Sequence, residues 1–201
     1  MKFVNFYDLD KDTSYINIGF PPDNEVIMKY DYSRDIRLAL NKVDSRLYEM
    51  INPDPRIHVF QLSEDNPFYI SSISLNLKYF EESHDYGDIL LNRTRNASLD
   101  NMLSYANFIL VSYIASLDFV VEKDESMQEA LFRYNQQYSL YLKLVDNELS
   151  FTKELKLPNT FGSMDLISET GDVYFRKRYY LDEHAMIFYI VDVEKIFGLT
   201  N

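Results

Sequence analysis

Apolar residues in this chain come in short runs separated by turn chemistry, and that spacing limits the fold more than any single motif does. The longest run, ANFILVSYIASLDFVV (106–121), is shorter than the ~20 residues a membrane-spanning helix needs, and it carries Asp118. No membrane span is expected; the elements should be short and packed on one another. The chain has 201 residues, a length that suits one domain over 1–201 and can hide roughly 70% of the surface exposed when unfolded. Hydrophobic residues at 46% and charged residues at 26% give a globular balance rather than a disordered one.

The spacing within the runs predicts an α+β fold. SYINIGF and EVIMKYDY read as strands around the turn PPDN. Ser33 then suits a helix N-cap, with Asp35 in the first turn. Ile36, Leu40, Val43, Leu47 and Ile51 recur at helical spacing up to the stop NPDP. RIHVFQL, PFYISSISLNLKYF and YGDILLN read as strands; in the second, Tyr69, Ser71, Ile73, Leu75 and Leu77 should share one face. Leu99, Met102, Ala106, Ile109, Tyr113, Leu117 and Val120 predict a helix over 98–121. Ser126 and Glu129 have capping-box spacing and open a second helix, with Met127, Leu131, Tyr134, Tyr138, Tyr141 and Val145 along its seam. These two helices should form a central antiparallel hairpin joined by KDES. Strands return in ELSFTKELKL, SMDLI, DVYFRKRYYL and AMIFYIVDV. The expectation is therefore antiparallel β-sheet elements packed with one N-terminal helix and a helical hairpin. Possible sub-lobes are 1–95, 96–148 and 149–201.

Several chemistries are disfavoured. With no cysteine, disulfides, thiolate nucleophiles and cysteine-ligated zinc are excluded. That fits a reducing cytoplasm and equally a virion part independent of redox state. The start MKFVNFYDLDKD has one lysine and interrupted apolar residues, so no secretory signal is expected. Asp8, Asp10 and Asp12 alternate as in a calcium loop, but Thr13 stands where the sharp turn needs glycine and Gly19 where a bidentate Glu is needed. Glu81, His84 and Asp85 gather metal-binding chemistry in EESHDYGD, without a second histidine at ligand spacing. His58 reads as a hydrogen-bonded strand residue and His184 as an exposed turn residue. No nucleophile elbow is present, and no cofactor or metal site is expected.

The remaining biases concern partners. The 17 tyrosines and 14 phenylalanines contrast with 5 glycines, where average usage predicts about fourteen. Amphipathic rings are common at interfaces. The net charge of -12 disfavours direct nucleic-acid binding. FRKRYY nevertheless sets three cations in a row. In a strand, Tyr174, Arg176, Arg178 and Tyr180 would share one face suited to carboxylate-rich partners, the nearest being another copy of the chain. On the expected 98–121 helix, Asn101, Ser104 and Asn107 give an uncharged second face approached from both sides. These features predict a non-enzymatic structural or assembly protein within an oligomer, located in a virion or the host cytoplasm. A Cys-free, Trp-free chain rich in Asn, Tyr, Asp and Ile is of the kind low-GC genomes and their phages encode, which suggests a tailed-phage neck, connector or tail ring. The alternative is a small acidic inhibitor or DNA mimic filling a basic cleft of a host enzyme.

Overall fold

The computed structural model describes residues 2–7, 15–19, 35–52, 54–62, 68–81, 97–146, 152–178 and 186–199. Two compact units divide the chain, Met1–Leu75 and Asn76–Asn201.

In the first unit, β1 (Lys2–Tyr7) and β2 (Tyr15–Gly19) form an antiparallel ribbon. β3 (Asp35–Asn41), β4 (Arg46–Asn52), β5 (Arg56–Gln61) and β6 (Phe68–Ser74) form an antiparallel meander in chain order. The helix expected from Ser33 is corrected here: 35–52 is a β-hairpin, and Ser33 itself lies outside the described residues. Its turn is made by side chains, with Val43 N donating to Asn41 Oδ1 and Arg46 N to Asp44 Oδ1, while Ser45 takes a φ of 54°. Helical spacing misleads here because a hairpin mirrors its residues about the turn. Ile36 lies opposite Ile51 and Leu40 opposite Leu47, so the four share one face of a sheet instead of one stripe of a helix. The expected strands EVIMKYDY and YGDILLN lie outside the described residues.

β6 occurs where a strand was expected, but its alternation is broken. Val59 pairs with Ser71 and Phe60 with Tyr69, leaving Ile70 as a bulge residue. Tyr69 is thereby turned to the side of Ser72, away from the Ser71 and Ile73 face.

The second unit holds two further meanders. β7 (Ser98–Tyr105), β8 (Phe108–Ile114), β9 (Leu140–Asp146) and β10 (Thr152–Lys156) form one; β11 (Phe161–Ile167), β12 (Asp172–Lys177) and β13 (Phe188–Asp192) form the other. Helix α1 (Met127–Gln137) lies between β8 and β9, and α2 (Val193–Phe197) follows β13. Each meander by itself has the up-and-down strand order of a propeller blade. Among the described residues the chain is thus mostly antiparallel β-sheet with two short helices, and segment 98–146 does not form the expected central helical hairpin.

Two physical facts explain the correction. Segment 98–114 is a hairpin whose two-residue turn is Ala106–Asn107, since Tyr105 pairs with Phe108. β8 is buried along its length, so it reads as a continuous apolar run without alternation. The helix opened by Ser126 does form, with the capping box in place: Glu129 N donates to Ser126 Oγ and Ser126 N to Glu129 Oε2. It ends at Gln137, because SLYLKLV pairs with β8 and tertiary pairing overrides the helical seam. The core sits between the two sheets and α1, where Leu110, Leu142, Leu144, Met164, Phe175 and Tyr134 meet.

Ala106 sits at a φ of 47°, a conformation that strains any Cβ-bearing residue. Ala106→Gly is expected to raise stability by about 0.5–1 kcal/mol, whereas inside a helix the same change would cost about 1 kcal/mol. Urea unfolding of the two chains gives the sign.

Candidate functional site

The cationic stretch divides between a surface and an interior role. In the β11–β12–β13 sheet, Met164, Val173 and Phe175 face the core. Cross-strand pairing places Leu166, Tyr174 and Ile190 together on the outer face, with Arg176 beside Phe188. Ile190, Leu166 and Phe188 are 60%, 48% and 38% exposed. Arg176 donates from Nε and Nη2 to Asp165 Oδ2 at 3.0 and 2.8 Å, forming an ion pair within this face. The outer face is thus an apolar patch around the Arg176–Asp165 ion pair, with Asp172 and Asp192 opposite each other at its end.

Arg178 turns inward instead. Its Nη1 donates to the carbonyls of Tyr138 (2.8 Å) and Asn135 (3.4 Å), and its Nε to that of Phe161 (3.1 Å). The guanidinium stacks 3.5 Å from the centre of the Tyr138 ring. α1 has no basic residue in its last turn, so a cation supplied from the end of β12 satisfies the carbonyls left open there. Tyr180 and His184 lie outside the described residues.

Asn101, Ser104 and Asn107 do not form one face. Asn107 is exposed in the β7–β8 turn, and Ser104 is half-buried opposite Ile109. Asn101 follows a bulge at Asp100 and joins the two sheets. Its Nδ2 donates to Met164 O at 2.6 Å, while Asp100 Oδ1 accepts from Ser163 Oγ at 2.8 Å and Asp100 Oδ2 from Ser112 Oγ at 2.7 Å. The tyrosines are also drawn inward: Tyr48, Tyr113, Tyr134, Tyr138 and Tyr141 are all buried. Burial raises the Tyr113 hydroxyl well above its usual range and pushes that of Tyr134 up to about 12.

Residue-by-residue reading of the sequence missed a polar centre in the first unit. Glu49 on β4 lies opposite His58 on β5, which lies opposite Ser72 on β6. His58 Nδ1 is 2.8 Å from Ser72 Oγ, whose other neighbour is the Tyr69 hydroxyl at 2.7 Å. His58 Nε2 is 3.5 Å from Asp54 Oδ2, and Arg56 grips Asp54 from Nε and Nη2. Burial pushes the Asp54 carboxyl up, but the His58 and Arg56 interactions together outweigh it and hold the group below its ordinary value. Glu49 is 0% exposed, and neither carboxyl oxygen has a hydrogen-bond partner. Burial alone pushes its pKa up to about 7. The available signal was an acid in the middle of the apolar run RLYEMIN.

Ser72, His58 and Asp54 stand in the contact order of nucleophile, base and orienting acid. The serine hydroxyl is also engaged by Tyr69, and the imidazole is buried. Among the described residues, no three His, Asp or Glu side chains are placed to hold a metal ion. Glu81 is exposed, its backbone N donating to Ser116 Oγ. His84, Asp85, Asp8, Asp10 and Asp12 lie outside the described residues.

No family model matches the chain, and no curated protein matches its sequence. A similar solved structure is that of a DUF4221 family member from Bacteroides vulgatus, with a TM-score of 0.52 at 12% identity. The match covers 81% of this chain and 47% of the neighbour, so this chain corresponds to about half of that one. At that identity the likeness concerns the fold alone.

The two arginines should separate in experiment. Arg178→Ala is expected to destabilise the protein by about 2–3 kcal/mol, since three carbonyls lose a charged donor. Arg178→Lys should recover only part, lacking the planar fork. Arg176→Ala should stay within about 1 kcal/mol, as an exposed ion pair does. Thermal or urea denaturation of the three variants checks the order.

Proposed function

We propose that the protein is a non-enzymatic assembly subunit that binds a second copy of itself through the outer face of the β11–β12–β13 sheet. The observation that carries this reading is the exposed set Leu166, Phe188 and Ile190 around the Arg176–Asp165 pair. Within the second unit, the opposite face of the same sheet already packs against another meander, so sheet-on-sheet cover is the kind of contact this surface suits. The Arg176–Asp165 pair sits among these apolar residues, and Asp172 and Asp192 stand opposite each other at the end of the same face. Under two-fold symmetry, Arg176 of each copy can reach Asp165 of the other. A chain of net charge -12 needs such pairing to bring two copies together.

The tailed-phage setting rests on composition and belongs to the proposal as a whole. The acidic-inhibitor reading is less supported, because it requires a continuous stripe of free carboxylates. Asp54, Glu125, Glu154 and Asp165 are instead tied to Arg56, Arg133, Lys143 and Arg176.

Native mass measurement over a concentration series tests the proposal. The wild-type chain should appear at a multiple of its 23.9 kDa mass, and Ile190→Asp should return it to the single-chain mass with its fold intact. A wild-type chain that stays single at the highest concentration would overturn the reading.

A further inference from the structure

A fully buried carboxyl group with no hydrogen-bond partner is an expensive element to keep in a sheet. Ionised, it bears a large desolvation cost; neutral, it still leaves its polar atoms unsatisfied. Glu49 is in this position. Its flanking residues on the same face are Leu47 and Ile51 on β4 and Leu38 across on β3. Among the described residues, the titratable and charged groups on this face come from β5, its preceding turn and β6: His58 opposite, Arg56 and Asp54 beyond it, and Tyr69. β3 contributes only apolar side chains there, Ile36, Leu38 and Leu40. Arg56 is spent on Asp54, and His58 is held between Asp54 and Ser72. Neither supplies Glu49 with a counter-charge contact.

We infer that Glu49 is a proton-operated latch for the first sheet: protonated, it allows β3–β6 to stay closed over it, and on ionising it loosens them. This is independent of the assembly proposal, which concerns another surface in the other unit. Burial supports the same direction by raising the folded-state pKa from 4.5 to about 7. The folded chain then holds its proton more tightly than the unfolded chain does. The stabilisation is complete below about pH 4.5 and is lost as pH rises through about 7.

Residue-resolved hydrogen exchange on the full chain, corrected for intrinsic rates, reads the opening directly. Between pH 5 and pH 8 the opening constant of β4 and β5 amides should rise on the order of a hundredfold, while β8 and β9 amides in the second unit hold theirs. Glu49→Gln should flatten the pH dependence, and His58→Gln should leave it in place. An unchanged slope in Glu49→Gln, or a slope removed by His58→Gln alone, would overturn the inference. Should Glu49→Gln fail to fold, a carboxyl-carbon NMR titration of the wild-type chain decides. A Glu49 midpoint near 7 that tracks the loss of protection supports the latch, and an ordinary carboxylate midpoint refutes it.

Discussion

β8 and β9 leave no face for water: every residue from Ile109 to Tyr113 and from Leu140 to Val145 is buried. The rest of the second unit follows from having to cover both sides of that pair. One side, with Leu110, Leu142 and Leu144, is covered by the β11–β13 sheet, α1 and α2. The other is covered in part by aromatic rings: Tyr79 stacks on Tyr141, Tyr141 on Tyr113, and Phe80 meets Tyr113 edge-on. The tyrosine surplus that suggested interfaces therefore serves the interior to a large extent, where a flat ring fills the gap between strand and loop. Lys143 shares the crowded side and is accommodated because Glu154, its cross-strand neighbour on β10, lies 3.6 Å away.

What could be seen in the sequence was local. The strands after residue 150, the turn SETGD, the β12–β13 pairing and the Ser126–Glu129 capping box depend on neighbours a few residues apart, and all occur. Two of the failures, at 35–52 and 98–114, share one cause: antiparallel hairpins place residues symmetrically about their turns, and such symmetry imitates a three-to-four-residue period. Leu99 opposite Tyr113 repeats the pattern of Ile36 opposite Ile51. The turn at Ala106 was further hidden by its residue type, since alanine announces no turn. The polar centre around His58 was half visible. A hydrogen-bonded strand histidine was expected, but its partner Ser72 and the unpartnered Glu49 come beside it only through register.

Charge in this molecule is spent in different ways within a few residues. Arg176 neutralises an acid at the surface, whereas Arg178 fastens a helix end to the start of β11. The two lie two residues apart, and an ideal strand would give them one role. β12 ends at Lys177, before Arg178, so the second guanidinium is free to turn beneath α1. The outer face therefore carries the Arg176–Asp165 ion pair instead of a basic ridge.

The junction between the second unit's sheets also bears on how such a chain can change over time. Asn101 and Asp100 address the carbonyl and the amide of residue 164, not its side chain. A docking contact read from the peptide group tolerates almost any apolar residue there, yet it forbids proline, which has no amide hydrogen to give. Drift in the core lining is thus uncoupled from alignment of the two layers, and the bulge that brings both β7 side chains to bear fixes where one layer ends against the other.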